Sequence, residues 1–484
     1  MTFKKIRICK VKKDFINNDD KKEKLFKIKK SVLISRIVLG FFGIFCLACV
    51  FFAVIAKMGN FTTGLNIISS FIPGNDLQLE SGKEKINILL VGMGGAKNDA
   101  PDLTDTIILA SLNLKEKTIS MFSIPRDLYV SYPNKFGAGK INELYLLGKK
   151  KYGQEEGIGY LKSKVTEITG EDIDYHVMID FEGFIKFIDV LGGVKVDVPE
   201  DLVDTSYPDW KRGYVTFSVK KGLQTFDGET ALKYVRSRHS TNDFDRSIRQ
   251  QLVIKAVRDK IFSLEYLTSP TKIKNLYYVI SSNINSNLNL KQIVSLATNI
   301  KGMQDNKSVL SFNLNDTCIA SLKDCQKGSF LYFPRRDLFA GISVVLPEKA
   351  VPGKISYYTD IQKFADLAFN YPKFFSENQE ISIINTTKQS SLAYNVALKL
   401  KKYGFNIPGS DYLGSTKENL EETKIYFQWN EETKSGIDPN FETLKVFENL
   451  FNIKPIGVKE STYFTNSFSK IVIVLGKDYN KYFN

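Results

Sequence analysis

The stretch from Gly222 to Lys260 sets four arginines, Arg236, Arg238, Arg246 and Arg249, within fourteen residues of helix-favouring sequence. A guanidinium keeps its charge under all ordinary conditions, so wherever the chain buries one it must also supply an anion or a full set of acceptors. Asp227 reads as the cap of a short helix over Ala231 to Val235, which leaves Arg236 and Arg238 two residues apart at its end. Asp243 reads as the cap of the next helix. On a helix starting near Phe244, Arg246, Arg249 and Gln250 fall at i, i+3 and i+4, and the same stripe continues through Val253, Ile254, Val257 and Ile261. The polar trio therefore points inward with the core, where planar five-donor groups suit a phosphate. The alternative is an ion-pair network in which Asp227, Asp243 and Asp245 tie the two helices together.

The 484 residues allow two or three domains, and the charge is unevenly placed. Residues 1–30 hold twelve Lys/Arg against four Asp/Glu, a net of +8 out of the +14 of the whole chain. Ile37 to Ala56 is uncharged and about as long as a helix needs to cross the hydrocarbon core of a bilayer. Lysines crowd before this run, whereas after Lys57 none follows until Lys83. That asymmetry puts the amino terminus in the cytoplasm and the body of the protein outside the cell membrane, on a single-pass anchor. A cleaved signal peptide is the rival reading; the length of the run, its depth in the chain and the lack of a small-residue cleavage site favour the anchor. Cys9 is then cytoplasmic and Cys46 and Cys49 lie in the membrane, while Cys318 and Cys325 bracket an external loop that a disulfide could close.

Beyond a stalk with a Pro-Gly turn at Pro73, three strand-like runs come first: Ile86 to Val91, Thr106 to Leu112 and Thr118 to Ile124. Helical periodicity follows over Ile158 to Thr169 and Phe181 to Leu191, and Val194 to Val198 reads as strand. Tyr266 to Gln304 reads as mostly helical, and Ser308 to Pro347 contains further strand-like pieces. The pattern then restarts with strand over Ile381 to Asn385, helix over Leu392 to Tyr403, strand over Lys424 to Trp429, helix over Phe441 to Phe451 and strand over Lys470 to Leu475. The expected fold class is α/β, a layered mixed β-sheet flanked by helices, with one transmembrane helix and a small second α/β domain. The expected boundaries are 1–31 for the tail, 32–56 for the membrane helix, 57–84 for the stalk, 85–265 for the main domain, 266–375 for its extension and 376–484 for the second domain.

Chemistry is expected in the main domain. Pro125 ends a strand and presents Arg126 and Asp127 at the sheet edge, and Asp105 stands just before a buried strand. Asp105 and Asp127 are oxygen ligands suited to a hard cation such as Mg²⁺ or Mn²⁺ that bridges to substrate phosphates. For a lone aspartate, capping a turn is the simpler role. Lys140 and Asn142 follow Gly137 and Gly139 on a loop and offer a further cation and an amide. Other chemistries lack their residues: Gly92 to Gly95 has no third glycine for a dinucleotide site, and neither HExxH nor GxSxG occurs. Of the two histidines, His176 reads as a packed residue within a strand, and His239 lies among the arginines, where it could meet an anion.

Taken in order, NILLVG at 87–92, TDT at 104–106, SIPRDLYV at 123–130, KINELY at 140–145, LGGVKVDVP at 191–199, GETALKYVRSRH at 228–239 and DFDRSIRQQ at 243–251 resemble the LytR-CpsA-Psr family of membrane-anchored cell-wall glycopolymer ligases. Residues 380–478 resemble the small carboxy-terminal domain that often accompanies it. The resemblance implies a polyprenyl phosphate or pyrophosphate carrier whose head group is clamped by arginines and a divalent metal, with its lipid tail in an apolar tunnel. The carried glycopolymer is then transferred to peptidoglycan. On this reading Arg126, Arg236, Arg238 and Arg246 hold the phosphates, with Asp127 orienting the metal or an arginine. Asp105 is the metal ligand, and Lys140, Asn142, Arg249 and Gln250 contact substrate. The chain departs from the family pattern at Gly94 and Leu103, where an Asp and an Arg are usual; Asp99 and Asp102 are the nearby carboxylates. The competing functions are a polyprenyl-pyrophosphate phosphatase and a non-catalytic lipid-carrier binder. No nucleic-acid partner is expected, because the basic tail is explained by membrane topology.

Overall fold

A computed structural model describes residues 83–484 apart from 97, 135, 209–212, 238–242, 262–277, 280–281, 290–291, 294, 297–308, 315–328, 352, 461, 466–468 and 484, with the backbone alone for 243–245. The apolar run at 37–56, the basic tail, all five cysteines, Arg238 and His239 lie outside the described residues. Among the described residues no helix is long and apolar enough to cross a membrane.

The first strands are β1 (Lys85–Met93), β2 (Thr104–Asn113) and β3 (Thr118–Ser123), an antiparallel meander. A short ribbon of β4 (Tyr129–Ser131) and β5 (Ala138–Lys140) leads to helices α1 (Leu144–Tyr152) and α2 (Gln154–Thr169). After β6 (Tyr175–Asp180) and α3 (Phe181–Val190) come β7 (Val194–Val198), a hairpin of β8 (Leu202–Pro208) and β9 (Tyr214–Val219), and β10 (Gly222–Phe226), which pairs with β7. Helices α4 (Gly228–Arg236) and α5 (Asp243–Ile261) follow. The main sheet takes in β11 (Ile284–Ser286) and β12 (Val309–Asn313) in the order β11-β6-β1-β2-β3-β12, with β6 and β12 parallel to their inner neighbours. It is a mixed sheet. Residues 284–286, within a stretch expected to be mostly helical, are strand, because Ser286 and Asn287 hydrogen-bond to the backbone of His176 and so hold the segment against β6.

Both faces of the sheet are covered. On one, Leu89, Val91, Leu109 and Phe122 pack against Leu161, Val165 and Ile168 of α2 and against α6 (Thr359–Asn370). Phe122 is fully buried there, with the rings of Phe364 and Phe369 at 5.7 and 5.8 Å between centroids, and its burial is worth about 2–3 kcal/mol. On the other face, Ile86, Ile88, Ile108 and Met121 meet Ile254 of α5. A separate cluster holds α5 to the β7–β10 ribbon through Val253, Ala256, Val196 and Phe226. Asp227 caps α4 as its position implied, accepting from the Thr230 amide at 2.8 Å.

The extension continues as a two-residue ladder of β13 (Leu331–Tyr332) and β14 (Leu346–Pro347), then α6 and α7 (Pro372–Glu377). The second sheet is built from β15 (Ile381–Asn385), β16 (Leu413–Ser415), β17 (Lys424–Asn430), β18 (Ser435–Gly436), β19 (Ile456–Val458) and β20 (Ile471–Leu475). It runs in the order β16-β15-β20-β17-β18 with β19 also on β17, and is packed by α8 (Leu392–Lys402) and α9 (Glu442–Phe451). The buried strands β15 and β20 are parallel; β20 reads as an unbroken apolar run, IVIVL, as a strand covered on both faces does, while β15, ISIIN, also buries the polar Ser382 and Asn385. Residues 78–484 form one compact unit, and one continuous hydrophobic cluster runs from Leu89 of the main sheet through Phe364 to Phe447 of the second domain.

Candidate functional site

Beyond the carboxyl end of β3, Pro125 starts a turn in which the Leu128 amide returns to the Pro125 carbonyl at 3.0 Å. This turns Arg126 back over the start of β2, where its Nη1 donates to Asp105 Oδ1 at 2.6 Å. Asp127, its neighbour, accepts from Lys140 Nζ at 2.7 Å. From the opposite side α5 brings Arg246, 5% exposed, whose Nη2 donates to the Asp105 backbone carbonyl at 3.3 Å. One turn on, Gln250 donates to Thr106 Oγ1 at 2.8 Å. Thr106 sits across from Gly92 of β1, and a Cβ at Gly92 would stand 3.0 Å from the Thr106 Cβ, so a larger residue there would have to push Thr106 aside.

Asp105, Thr106, Arg126, Asp127, Arg246 and Gln250 line one cleft of about 210 Å³, whose apolar wall includes Ile107, Ile124, Phe333 and Val345. Sequence reasoning missed Phe333 and Val345. They come from the extension more than 200 residues along, and nothing periodic in the sequence links them to Asp105. Three cations (Arg126, Arg246, Lys140) against two carboxylates (Asp105, Asp127) leave the cleft group with one positive charge. Arg126 and Lys140 are each held by a carboxylate, so a phosphate entering here exchanges one charge-assisted contact for another and leaves no guanidinium bare.

The other sequence candidates sit elsewhere. Arg249 is 6% exposed and donates to the backbone carbonyls of Tyr234, at 3.1 Å, and Ser237. The reason is local. The last carbonyls of α4 lack helical partners, and a buried guanidinium fork satisfies them. Arg249 thus braces the two helices through these carbonyls; the side chains of Asp243 and Asp245, considered in the ion-pair alternative, lie outside the described residues. Arg236 lies over the Phe181 ring at 4.3 Å and donates to Tyr207 Oη at 3.1 Å. Burial pushes the Tyr207 hydroxyl above the ordinary phenol range, with Arg236 pulling it the other way. Asn142 is buried behind the cleft, its amide donating to the Arg126 carbonyl at 3.3 Å and its carbonyl accepting from Thr104 Oγ1 at 3.2 Å, so it supports the Arg126 turn. Asp102 pairs with Lys149 at 2.6 Å, which commits it to α1.

Among the described residues no group of three or more His, Cys, Asp or Glu side chains gathers to cage a metal ion. The donor set at the cleft nonetheless fits Mg²⁺, which takes one or two carboxylates and completes its shell with water and substrate phosphate. Asp105, with a side chain 32% exposed, and Asp127, 21% exposed, are the two carboxylates positioned for that.

A layered mixed α/β domain with a basic, carboxylate-bearing cleft at the strand ends defines a protein built to receive a phosphorylated ligand. The chain belongs to the LytR-CpsA-Psr family: the LytR_cpsA_psr family profile matches residues 64–338, and a second profile, LytR cell envelope-related transcriptional attenuator, matches residues 378–479. It is 31% identical over 236 residues to the polyisoprenyl-teichoic acid–peptidoglycan teichoic acid transferase TagT of Bacillus subtilis, covering 48% of this chain and 69% of that protein. It is likewise 31% identical over 234 residues to a TagU transferase of Oceanobacillus iheyensis, covering 47% and 67%. A solved structure of TagT bound to LIIa-WTA has 29% identity and a TM-score of 0.44, covering 60% of this chain and 94% of that one.

Proposed function

We propose that the protein is a membrane-anchored, extracytoplasmic phosphotransferase that moves a glycopolymer from a polyprenyl phosphate or pyrophosphate carrier onto peptidoglycan. The observation that carries this reading is the convergence of Arg126, Arg246, Asp105, Asp127 and Gln250 on one cleft in a chain of this family. The named relatives are transferases of teichoic acid from a polyisoprenyl carrier to peptidoglycan, and the same class of donor and acceptor fits here. The uncharged run at 37–56 supplies the anchor and the lysine asymmetry its orientation.

For a pyrophosphate carrier, a peptidoglycan hydroxyl attacks the phosphorus that bears the glycan. A new P–O bond forms, the bond to the bridging oxygen breaks, and polyprenyl monophosphate leaves with the electron pair and takes up the proton released by the hydroxyl. Positioning and charge neutralisation do most of the work in such transfers. Arg126 and Arg246 approach from opposite sides and bind the non-bridging oxygens, while Gln250, fixed on Thr106, orders the head group. Asp105 and Asp127 would hold Mg²⁺ or Mn²⁺, which supplies positive charge to the phosphates when bound. Lys140 orients Asp127 through a 2.7 Å charge-assisted hydrogen bond. Phe333, Ile107 and Val345 give the apolar wall beside the head group.

Incubating the full chain in detergent with lipid-pyrophosphate-linked glycan, Mg²⁺ and peptidoglycan fragments tests this. Glycan appearing on peptidoglycan supports the transferase. Release of free glycan phosphate with or without acceptor makes it a phosphatase, and retained lipid without any product makes it a carrier-binding protein.

A further inference from the structure

The cleft wall formed by Phe333 and Val345 belongs to the β13–β14 ladder, and the two ends of that ladder face different partners. At one end Val345 lies between the residues flanking the Arg126 turn: its amide donates to the Asp127 carbonyl at 3.0 Å and its carbonyl accepts from the Tyr129 amide at 2.9 Å. At the other end Phe330 and Glu348 are joined by a backbone hydrogen bond of 2.9 Å, and both are gripped by one side chain of the second domain. Lys402, the last residue of α8, donates to Glu348 Oε2 at 2.7 Å and stands 4.9 Å above the Phe330 ring. It also reaches Asp360 Oδ2 of α6 at 2.9 Å. The Lys402 side chain is 5% exposed, so its ammonium has exchanged water for two carboxylates and a ring face. Glu348 is three residues from Val345, which leaves little slack between the grip and the cleft.

We propose that the carboxy-terminal domain is a working part of the cleft, with Lys402 as a positioning residue that holds Asp127 in register through the β13–β14 ladder. A ladder of two residue pairs has almost no stability of its own and takes its order from the core packing of Leu331 and Leu346 and from what clamps its ends. One clamp is Lys402, and the other is the Asp127–Val345–Tyr129 hydrogen bonding that sets the backbone next to Arg126. Loss of the Lys402 charge leaves Glu348 without this ammonium and Asp360 with only the exposed Lys349, 3.6 Å away, and frees the outer end of the ladder. The consequence at the inner end is a looser Asp127 and a retreating wall at Val345. The catalytic consequence rests on the transferase reading; the structural coupling does not.

The test is hydrogen–deuterium exchange on the full chain, read at the Tyr129 and Val345 amides and compared with amides of β1 and β2. In Lys402→Gln these two amides are expected to exchange about tenfold faster relative to the sheet, and Lys402→Arg is expected to restore most of the protection. Glu348→Gln leaves Lys402 on Asp360 and so preserves docking; it reports on the same two amides should Lys402→Gln fail to fold. Unchanged protection at Tyr129 and Val345, or equal acceleration throughout the sheet, overturns the proposal. In turnover assays kcat falls and recovers with Lys402→Arg while KM for the lipid donor holds. An unsubstituted chain that never transfers glycan refutes the transferase reading and leaves the exchange result to judge the coupling.

Discussion

Arg126 Nη1 stands 2.6 Å from Asp105 Oδ1, an ion pair that joins the turn after β3 to the start of β2. Both side chains are partly buried, at 17% and 32% exposure, so the pair is only partly screened by water. It holds a guanidinium and a carboxylate within reach of the same ligand before the ligand arrives. Pre-organised charge of this kind costs no reorganisation during reaction.

Arg246 and Arg249, one turn apart on α5, should give opposite phenotypes. Arg246→Ala is expected to lower transfer on the order of 100-fold, a loss of about 2–4 kcal/mol in transition-state stabilisation, with little change in melting. Arg249→Ala deprives buried carbonyls of their donors and is expected to cost about 3 kcal/mol of stability, while the surviving folded fraction turns over normally. Melting curves beside rate measurements decide it; identical phenotypes for the two would refute the division of labour.

Asp105→Asn keeps size and some hydrogen bonding but removes the charge that faces Arg126. Calorimetric titration of Mg²⁺ into protein loaded with a polyprenyl pyrophosphate should show at least about tenfold weaker binding than for the unsubstituted chain. Excess Mg²⁺ should restore part of the lost transfer. Metal affinity that does not change would remove Asp105 from the ligand set.

His176 supplies a pH dependence. It is 4% exposed, its Nε2 lies 3.0 Å from Asn285 Oδ1, and burial lowers its pKa below the ordinary imidazole value, with Asn285 acting in the opposite sense. Lys162 and Glu155 act on it in opposite directions, the first lowering and the second raising the pKa. A depressed folded-state pKa means that the unfolded chain binds the proton first as pH falls. Stability is therefore fully present above about pH 6.5 and declines as pH drops from there towards the folded pKa. His176→Gln should flatten that acid limb in urea titrations at pH 5 to 7; a limb of unaltered slope would assign it to other groups.

The orientation inferred from the lysine asymmetry is tested with intact spheroplasts. Added protease should reach everything beyond the stalk, and protection of the Arg126–Arg246 region would reverse the topology and with it the external function.

Much of this protein was legible locally. Strands such as Val194–Val198, after Gly192 and Gly193, and Ile381–Asn385 have the bounds that their local sequence implied, and Asp227 caps α4, because capping and periodicity depend on neighbours within a few residues. The inward stripe of α5 was legible in part: Arg246, Arg249 and Val253 are buried, while Gln250, Ile254, Val257 and Ile261 are half-buried and Gln251 and Ala256, outside the stripe, are buried. What each buried arginine meets was not. Arg246 faces Asp105 from 141 residues away and Arg249 faces two carbonyls of the preceding helix, yet in sequence they are equivalent members of one stripe. An angle of about 60° around the helix separates them, and only the packing of α5 against both β2 and α4 turns that angle into two environments. Val345 and Lys402 carry the same lesson further, since their parts rest on backbone hydrogen bonds and a buried ion pair across more than fifty residues, contacts that tertiary structure alone can create.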